Sequence, residues 1–181
     1  MTLPGTKLTS ETFWLGALVA AFIDIGLVLL LALCMKPARF RQLSWAITGT
    51  SAVLWGILAT ACLRGFWDLY YRYFYPGWMR WLAPLDALLY GAIALALWWL
   101  ALRLPGNPVV NFALLGGLES VLEHLLGIYG LGILDKVPIL QGVRPTSALV
   151  FAFFKYIFYW SVVLGIAGLL GRGWQWWRPL G

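Results

Sequence analysis

Five long apolar stretches divide the chain, each closed by polar residues, glycine or proline. Phe13–Met35 runs for 23 residues with one charge, Asp24, and Leu43–Leu63 has none. Leu82–Leu102 carries only Asp86, Val109–Leu134 carries Glu119, Glu123 and His124, and Ser147–Gly171 carries Lys155. Each exceeds the roughly 20 residues that cross ~30 Å of hydrocarbon as a helix. None alternates with period two, which excludes a strand barrel. Pro84, Pro108 and Pro145 stand where the third, fourth and fifth helices would open, a position where proline sacrifices no hydrogen bond. The pattern predicts an all-α, polytopic membrane helix bundle in one domain. Its five transmembrane helices fall at about 13–35, 43–63, 82–102, 109–134 and 147–171.

Composition agrees: 62% of the 181 residues are hydrophobic and 11% are charged. That balance excludes a disordered chain, a disulfide scaffold and an ordinary soluble enzyme. The net charge of +6 does not signal nucleic acid, because the cations are scattered through short loops beside Trp and Tyr, as membrane anchors are. Segment 64–81 is the extreme case, with nine aromatics between Phe66 and Trp81. It reads as an interfacial segment lying along the head groups, or as a lid over a lipid-accessible site. The first span is too long for a cleavable signal peptide and lacks a small-x-small cleavage site. Cys34 and Cys62 fall at opposite ends of neighbouring antiparallel spans, too far apart to pair.

Orientation rests on a narrow difference. Six basic residues fall on each side of the membrane, but Lys36, Arg39 and Arg41 crowd one loop without an acid. Asp68, spaced i±4 from Arg64 and Arg72, offsets charge on the other side. The expectation is an outside N-terminus in the plasma membrane of a prokaryote.

The ionisable residues inside the spans carry the functional information. Ionised groups at mid-bilayer cost roughly 2.5–3.5 kcal/mol each on insertion scales. Glu119 and Glu123, at i and i+4, lie about 40° apart on one helical stripe with Gly116, Ser120, Gly127 and Gly130. That stripe should face inward, and the leucines should face lipid. His124 projects about 100° from Glu123. Asp24, eleven residues in from Phe13, and Glu123, eleven back from Leu134, would then share one depth, about 16 Å. Lys155 would reach Glu123 across the contact of the last two helices, and Asp86 would lie nearer the mouth. The expected ion- or substrate-binding constellation is Asp24, Glu119, Glu123, Lys155 and Asp86, with His124 close by. At the deep level its formal charge is −2, so a proton, a bound cation or a protonated His124 must offset it.

Known catalytic signatures are missing. There is no Glu-x-x-His, His-Glu-x-x-His, phosphate loop, Gly-x-Ser-x-Gly or paired-cysteine motif, and neither a cofactor nor a metal is expected. The run from Pro145 through Phe151, Phe154, Tyr156 and Tyr159-Trp160 resembles the last helix of the sterol-isomerase (emopamil-binding) proteins, also small five-helix bundles. That resemblance implies acid–base isomerisation of a lipid by buried His and Glu. The chain departs from the family in its second helix, which has no acid.

Three readings follow. The cluster could bind or translocate a proton, cation or small cationic solute, with Lys155 as the competing internal charge. Five helices would then need a homo-oligomer to form a pathway. A lipid-modifying enzyme would use Glu123 or Glu119 as acid or base with His124 as proton partner. A non-catalytic subunit of a larger membrane complex would use the polar groups only to fix packing, Lys155 and Glu123 as a clamp. Lipid is a partner in all three.

Overall fold

The computed structural model describes residues 7–65, 71–73 and 83–176. Five helices long and apolar enough to cross a membrane lie among them, and the described residues contain no strand. These are α1 (Ser10–Cys34), α3 (Ser44–Gly65), α4 (Ala83–Arg103), α5 (Pro108–Leu125) and α7 (Pro145–Trp176). Two short helices, α2 (Pro37–Phe40) and α6 (Ile133–Lys136), lie in the connections. The interfacial segment expected at 64–81 falls mostly outside the described residues.

Local chemistry sets the helix ends. Thr9 caps α1 by accepting from the Thr12 N–H, and Asn107 caps α5 by accepting from the Val109 N–H at 2.9 Å. Pro108 follows as the first residue of α5, and Gly106 (φ 95°) makes the preceding turn. The Asn111 amide donates to the carbonyls of Ala101, Leu104 and Pro105, which the end of α4 would otherwise leave unpaired.

The fourth span is shorter than its apolar run. α5 continues through a π-helical turn, Leu126–Gly130, and the chain then breaks at Gly132 (φ 67°). Leu134 therefore belongs to α6 and not to the span. It packs with Ile128, Val137, Leu140 and Val143 into a small apolar cap beneath Leu8 and Phe13. The Leu8 N–H donates to the Ile139 carbonyl, and the Arg144 N–H donates to Ser10 Oγ, fastening the start of α1 to this cap.

α7 is the centre of the bundle, packing against α1, α5 and α3, while α4 packs against α3 and α5. Lipid tails are as apolar as leucine, so helices associate through close fit and hydrogen bonds. Gly116 and Gly117 on α5 supply the fit: a Cβ on Gly116 would run into the Trp160 ring, and one on Gly117 would lie 2.7 Å from Phe153. Leu114, Leu118, Leu122 and Leu126, on the opposite face of α5, are exposed, as expected for a lipid-facing stripe. Gly130, expected on the inward stripe, is exposed as well.

The end of the bundle opposite the α1 N-terminus is closed. Phe40 is fully buried, edge-on to Phe112 at 5.9 Å, and Phe112 is edge-on to Trp160 at 5.7 Å. The Trp98 indole donates to the Phe40 carbonyl at 3.0 Å, and Arg39 donates to the Gly168 carbonyl at 2.8 Å. The loop between α1 and α3 is thus tucked into the bundle as a plug.

Candidate functional site

Between the apolar cap and the plug, α3, α4, α5 and α7 converge on a connected set of polar side chains. At its centre is Tyr90, on α4 and 3% exposed. Its hydroxyl donates to Glu123 Oε2 at 2.9 Å and lies 2.8 Å from the Tyr156 hydroxyl. A phenol has one proton to give. With that proton directed at the carboxylate, the Tyr156 O–H must be the donor to Tyr90. The result is a directed chain running Tyr156, Tyr90, Glu123 across three helices.

The surroundings hold this chain in place. Trp55 of α3 stacks on the Tyr90 ring with centroids 3.6 Å apart, and its indole N–H donates to Asp86 Oδ2 at 2.9 Å. Ser51 donates to the Tyr90 carbonyl at 3.1 Å and lies 3.2 Å from the Tyr159 hydroxyl. Tyr159 in turn donates to the Ser51 carbonyl at 3.3 Å. Trp160 stacks near-parallel to Tyr90 from the α7 side at 6.2 Å. The Tyr90 ring is thus walled by two indoles, with its hydroxyl turned toward acid.

Asp86 and Glu119 lie near enough to Glu123 to act on it electrostatically, and Lys155 lies near enough to act on Glu119. The buried Glu119 carboxylate and the buried Trp160 indole N–H lie against one another. Glu123, by contrast, is exposed on the flank of the bundle, so one carboxylate of the set is open to its surroundings. No three His, Cys, Asp or Glu side chains among the described residues are placed to hold a metal ion.

His124 borders the same centre from another side. Its Nδ1 lies 2.9 Å from the Ser120 carbonyl, which only accepts, so that nitrogen carries the proton. Ser120 Oγ donates to the Ala152 carbonyl of α7 at 3.2 Å. The imidazole packs edge-on against Tyr156 at 5.8 Å. His124 and Glu123 therefore flank Tyr156 without facing each other.

One expected member, Asp24, stands elsewhere, and Lys155 borders the centre. α1 and α7 run parallel, with Gly16 against Phe151 and Gly165 against Leu31. That register puts Asp24 level with Phe158 and Tyr159, about one turn beyond Lys155 and about 12 Å along the axis from Glu123. The common depth expected of Asp24 and Glu123 was measured from Leu134, and it fails because α5 ends before that residue. Asp24 is 2% exposed, and neither carboxylate oxygen has a hydrogen-bond partner among the described residues. Lys155 is exposed on the side of α7, with its ammonium 4.7 Å from the centroid of the Tyr156 ring. It also lines a groove of about 480 Å³ between α1 and α7, walled by Leu15, Val19, Ile23, Phe151 and Phe158.

Sequence reasoning missed Tyr90, Trp55 and Ser51, and took Tyr156 and Tyr159 only as aromatic character. A signal was present. Belt tyrosines sit at span ends, whereas a mid-span phenol in hydrocarbon needs a hydrogen-bond partner within the protein. Tyr90, Tyr156 and Tyr159 are all mid-span.

The fold and this centre together define an all-α, multi-pass membrane protein with an intramembrane acid–tyrosine network. No known protein family, curated protein or solved structure matches the chain.

Proposed function

We propose that this protein binds a proton or small cation within the membrane at Glu123, Tyr90 and Tyr156, as a carrier or exchanger of that species. The observation behind this reading is the directed hydrogen-bond chain ending on the exposed Glu123 carboxylate, with Asp86 and Glu119 adding negative charge. Intramembrane carboxylates that are costly to insert and yet gathered together mark ion and proton paths. When Glu123 is ionised it accepts from Tyr90. When it takes up a proton the chain can reverse, Glu123 donating to Tyr90 and Tyr90 to Tyr156. A cation arriving at Glu123 would be held by the carboxylate and by the faces of the aromatic rings. Access is from the end bearing the α1 N-terminus or from the flank, since the Phe40 plug closes the other end. We place that N-terminus outside, in a prokaryotic plasma membrane, on the crowding of Lys36, Arg39 and Arg41 in one loop.

In proteoliposomes, the unsubstituted chain should dissipate an imposed gradient of proton or small cation, and Glu123→Gln should abolish this while preserving helical content by circular dichroism. Equal flux in both proteins would overturn the reading. The exposure of Glu123 at membrane depth favours a second reading, a lipid-modifying enzyme with Glu123 as acid or base, because a bilayer lipid has direct access to it. That reading requires a change in the lipid composition of expressing cells which Glu123→Gln removes.

A further inference from the structure

We infer that this protein carries a binding site for a phospholipid with an anionic headgroup, in a groove between α1 and α7 at the plugged end of the bundle. The site is separate from the Tyr90–Glu123 centre and does not rest on the cation-binding reading. The groove holds about 300 Å³ and is walled by Leu30, Leu31, Met35, Gly165 and Leu169, with Arg39 at its outer end. α7 presents glycine at two positions here. A Cβ on Gly168 would come within 2.8 Å of Met35 Cε, so the two helices touch at that level. About one turn deeper, a Cβ on Gly165 would meet only Leu31, at 3.7 Å, and the space beside it stays open.

Arg39 fixes the polar end. Its guanidinium donates to the Gly168 carbonyl at 2.8 Å, which holds it half-buried over the groove rather than loose in its loop. A guanidinium keeps N–H donors to spare after one such bond, in the planar fork that matches a phosphate. Lys36 and Arg41, both exposed, stand in the same loop. The acids stay away from this end. None occurs between Asp24 and Asp68, between Asp86 and Glu119, or after Asp135, so no carboxylate side chain belongs to the connections here. A cationic rim without an acid, set at the outer end of an apolar slot, is complementary to an anion with a hydrocarbon tail.

Placement along the bundle axis fits such a lipid. Arg39 follows the end of α1 and so lies at the membrane surface, while Leu30 and Gly165 lie further in, beneath it. The headgroup phosphate sits on Arg39, with Lys36 and Arg41 adding positive potential, and the upper methylenes of one acyl chain fill the groove. A free phosphate would leave the slot empty, and a zwitterionic lipid would bring its own cation toward three others. The occupant is therefore an acidic phospholipid. Bound there, it ties the loop that carries the Phe40 plug to α1 and α7 from the lipid side.

Native mass spectrometry of the full chain in detergent tests this, with phosphatidylglycerol or phosphatidylcholine of the same acyl chains added. The chain should retain one phosphatidylglycerol about tenfold more strongly than phosphatidylcholine. Arg39→Gln should lower that preference about fivefold. Lys36→Gln with Arg41→Gln, which leaves the bond from Arg39 to Gly168 intact, should lower it as well and serves if Arg39→Gln fails to fold. Gly165→Leu keeps every cation but fills the groove, and should weaken phosphatidylglycerol retention about tenfold. In a Cys62→Ser chain, phosphatidylglycerol and not phosphatidylcholine should shield Cys34, an exposed thiol on the groove wall, from alkylation. Equal retention of the two lipids would overturn the headgroup assignment. A preference that survives the loss of these cations, undiminished retention in Gly165→Leu, or unshielded Cys34 with lipid bound would place the lipid elsewhere and overturn the site.

Discussion

Tyr90 has one proton and two neighbours that depend on it. Replacing it with Phe removes a donor from Glu123 and an acceptor from Tyr156 in one change, and hydrocarbon supplies no water to stand in. Tyr90→Phe should therefore cost about 1–3 kcal/mol by denaturant unfolding in detergent. Tyr156→Phe should cost less, since the Tyr90–Glu123 bond survives it. Asp24 poses the opposite case. Its carboxyl is buried without a partner among the described residues, and replacing such a group with an apolar side chain relieves the expense of carrying it into the bilayer. Asp24→Leu should be neutral or stabilising in thermal unfolding, and should leave proton or cation flux in proteoliposomes unchanged because Asp24 stands apart from the Tyr156 centre. The acids were legible in the sequence because charge inside a span is rare. The tyrosines were not, because aromatic residues pervade this chain and their depth depends on where each helix starts.

Helix ends decided what could be read at the next scale. The spans of α1, α3, α4 and α7 lie within a few residues of their apolar runs, since hydropathy and helix coincide there. α5 departs because hydropathy does not register backbone conformation. The run from Val109 to Leu134 stays apolar through a left-handed turn at Gly132, and only the geometry of the chain ends the helix. That one error moved Glu123 relative to Asp24 and joined two groups that lie apart. The contact of α5 with α7 was foreseen from their short connection, and it rests on two glycines. Gly116→Val would force a branched side chain into the space of Trp160, which is fully buried and cannot retreat. The melting temperature should fall by an amount equivalent to about 1–3 kcal/mol, the usual cost of overpacking a core.

Among the described residues, the plug closes one end of the bundle and Glu123 is exposed on its flank. The plug at Phe40, Phe112 and Trp160 is an apolar lock with two backbone-directed hydrogen bonds, from Trp98 and Arg39, fixing the loop that carries it. Nothing in the loop's composition announced this. Lys36 to Arg41 reads as a cationic surface turn, yet Phe40 within it is the most deeply inserted residue of the segment. On the proposed cation-binding reading, this plug is the stop on the side away from Glu123.

The central position of α7 has a consequence for how the bundle comes to exist. Ribosomes deliver helices in order, and α7 emerges after the three spans it packs against, α1, α3 and α5. Until then α1 has lost sight of its principal neighbour, the Gly116–Gly117 face of α5 has no indole or phenyl to receive, and Tyr90 has no phenol above it. The pair α3–α4 can form before then, with Trp55 already on Asp86 and Tyr90 able to meet Glu123 once α5 arrives, while α1 waits for its main neighbour. Assembly then has a late step, in which α7 closes its interfaces with α1, α5 and α3 together. Quality control in the cell would meet, until α7 arrives, a partial bundle built on α3 and α4 with α1 still largely unattached.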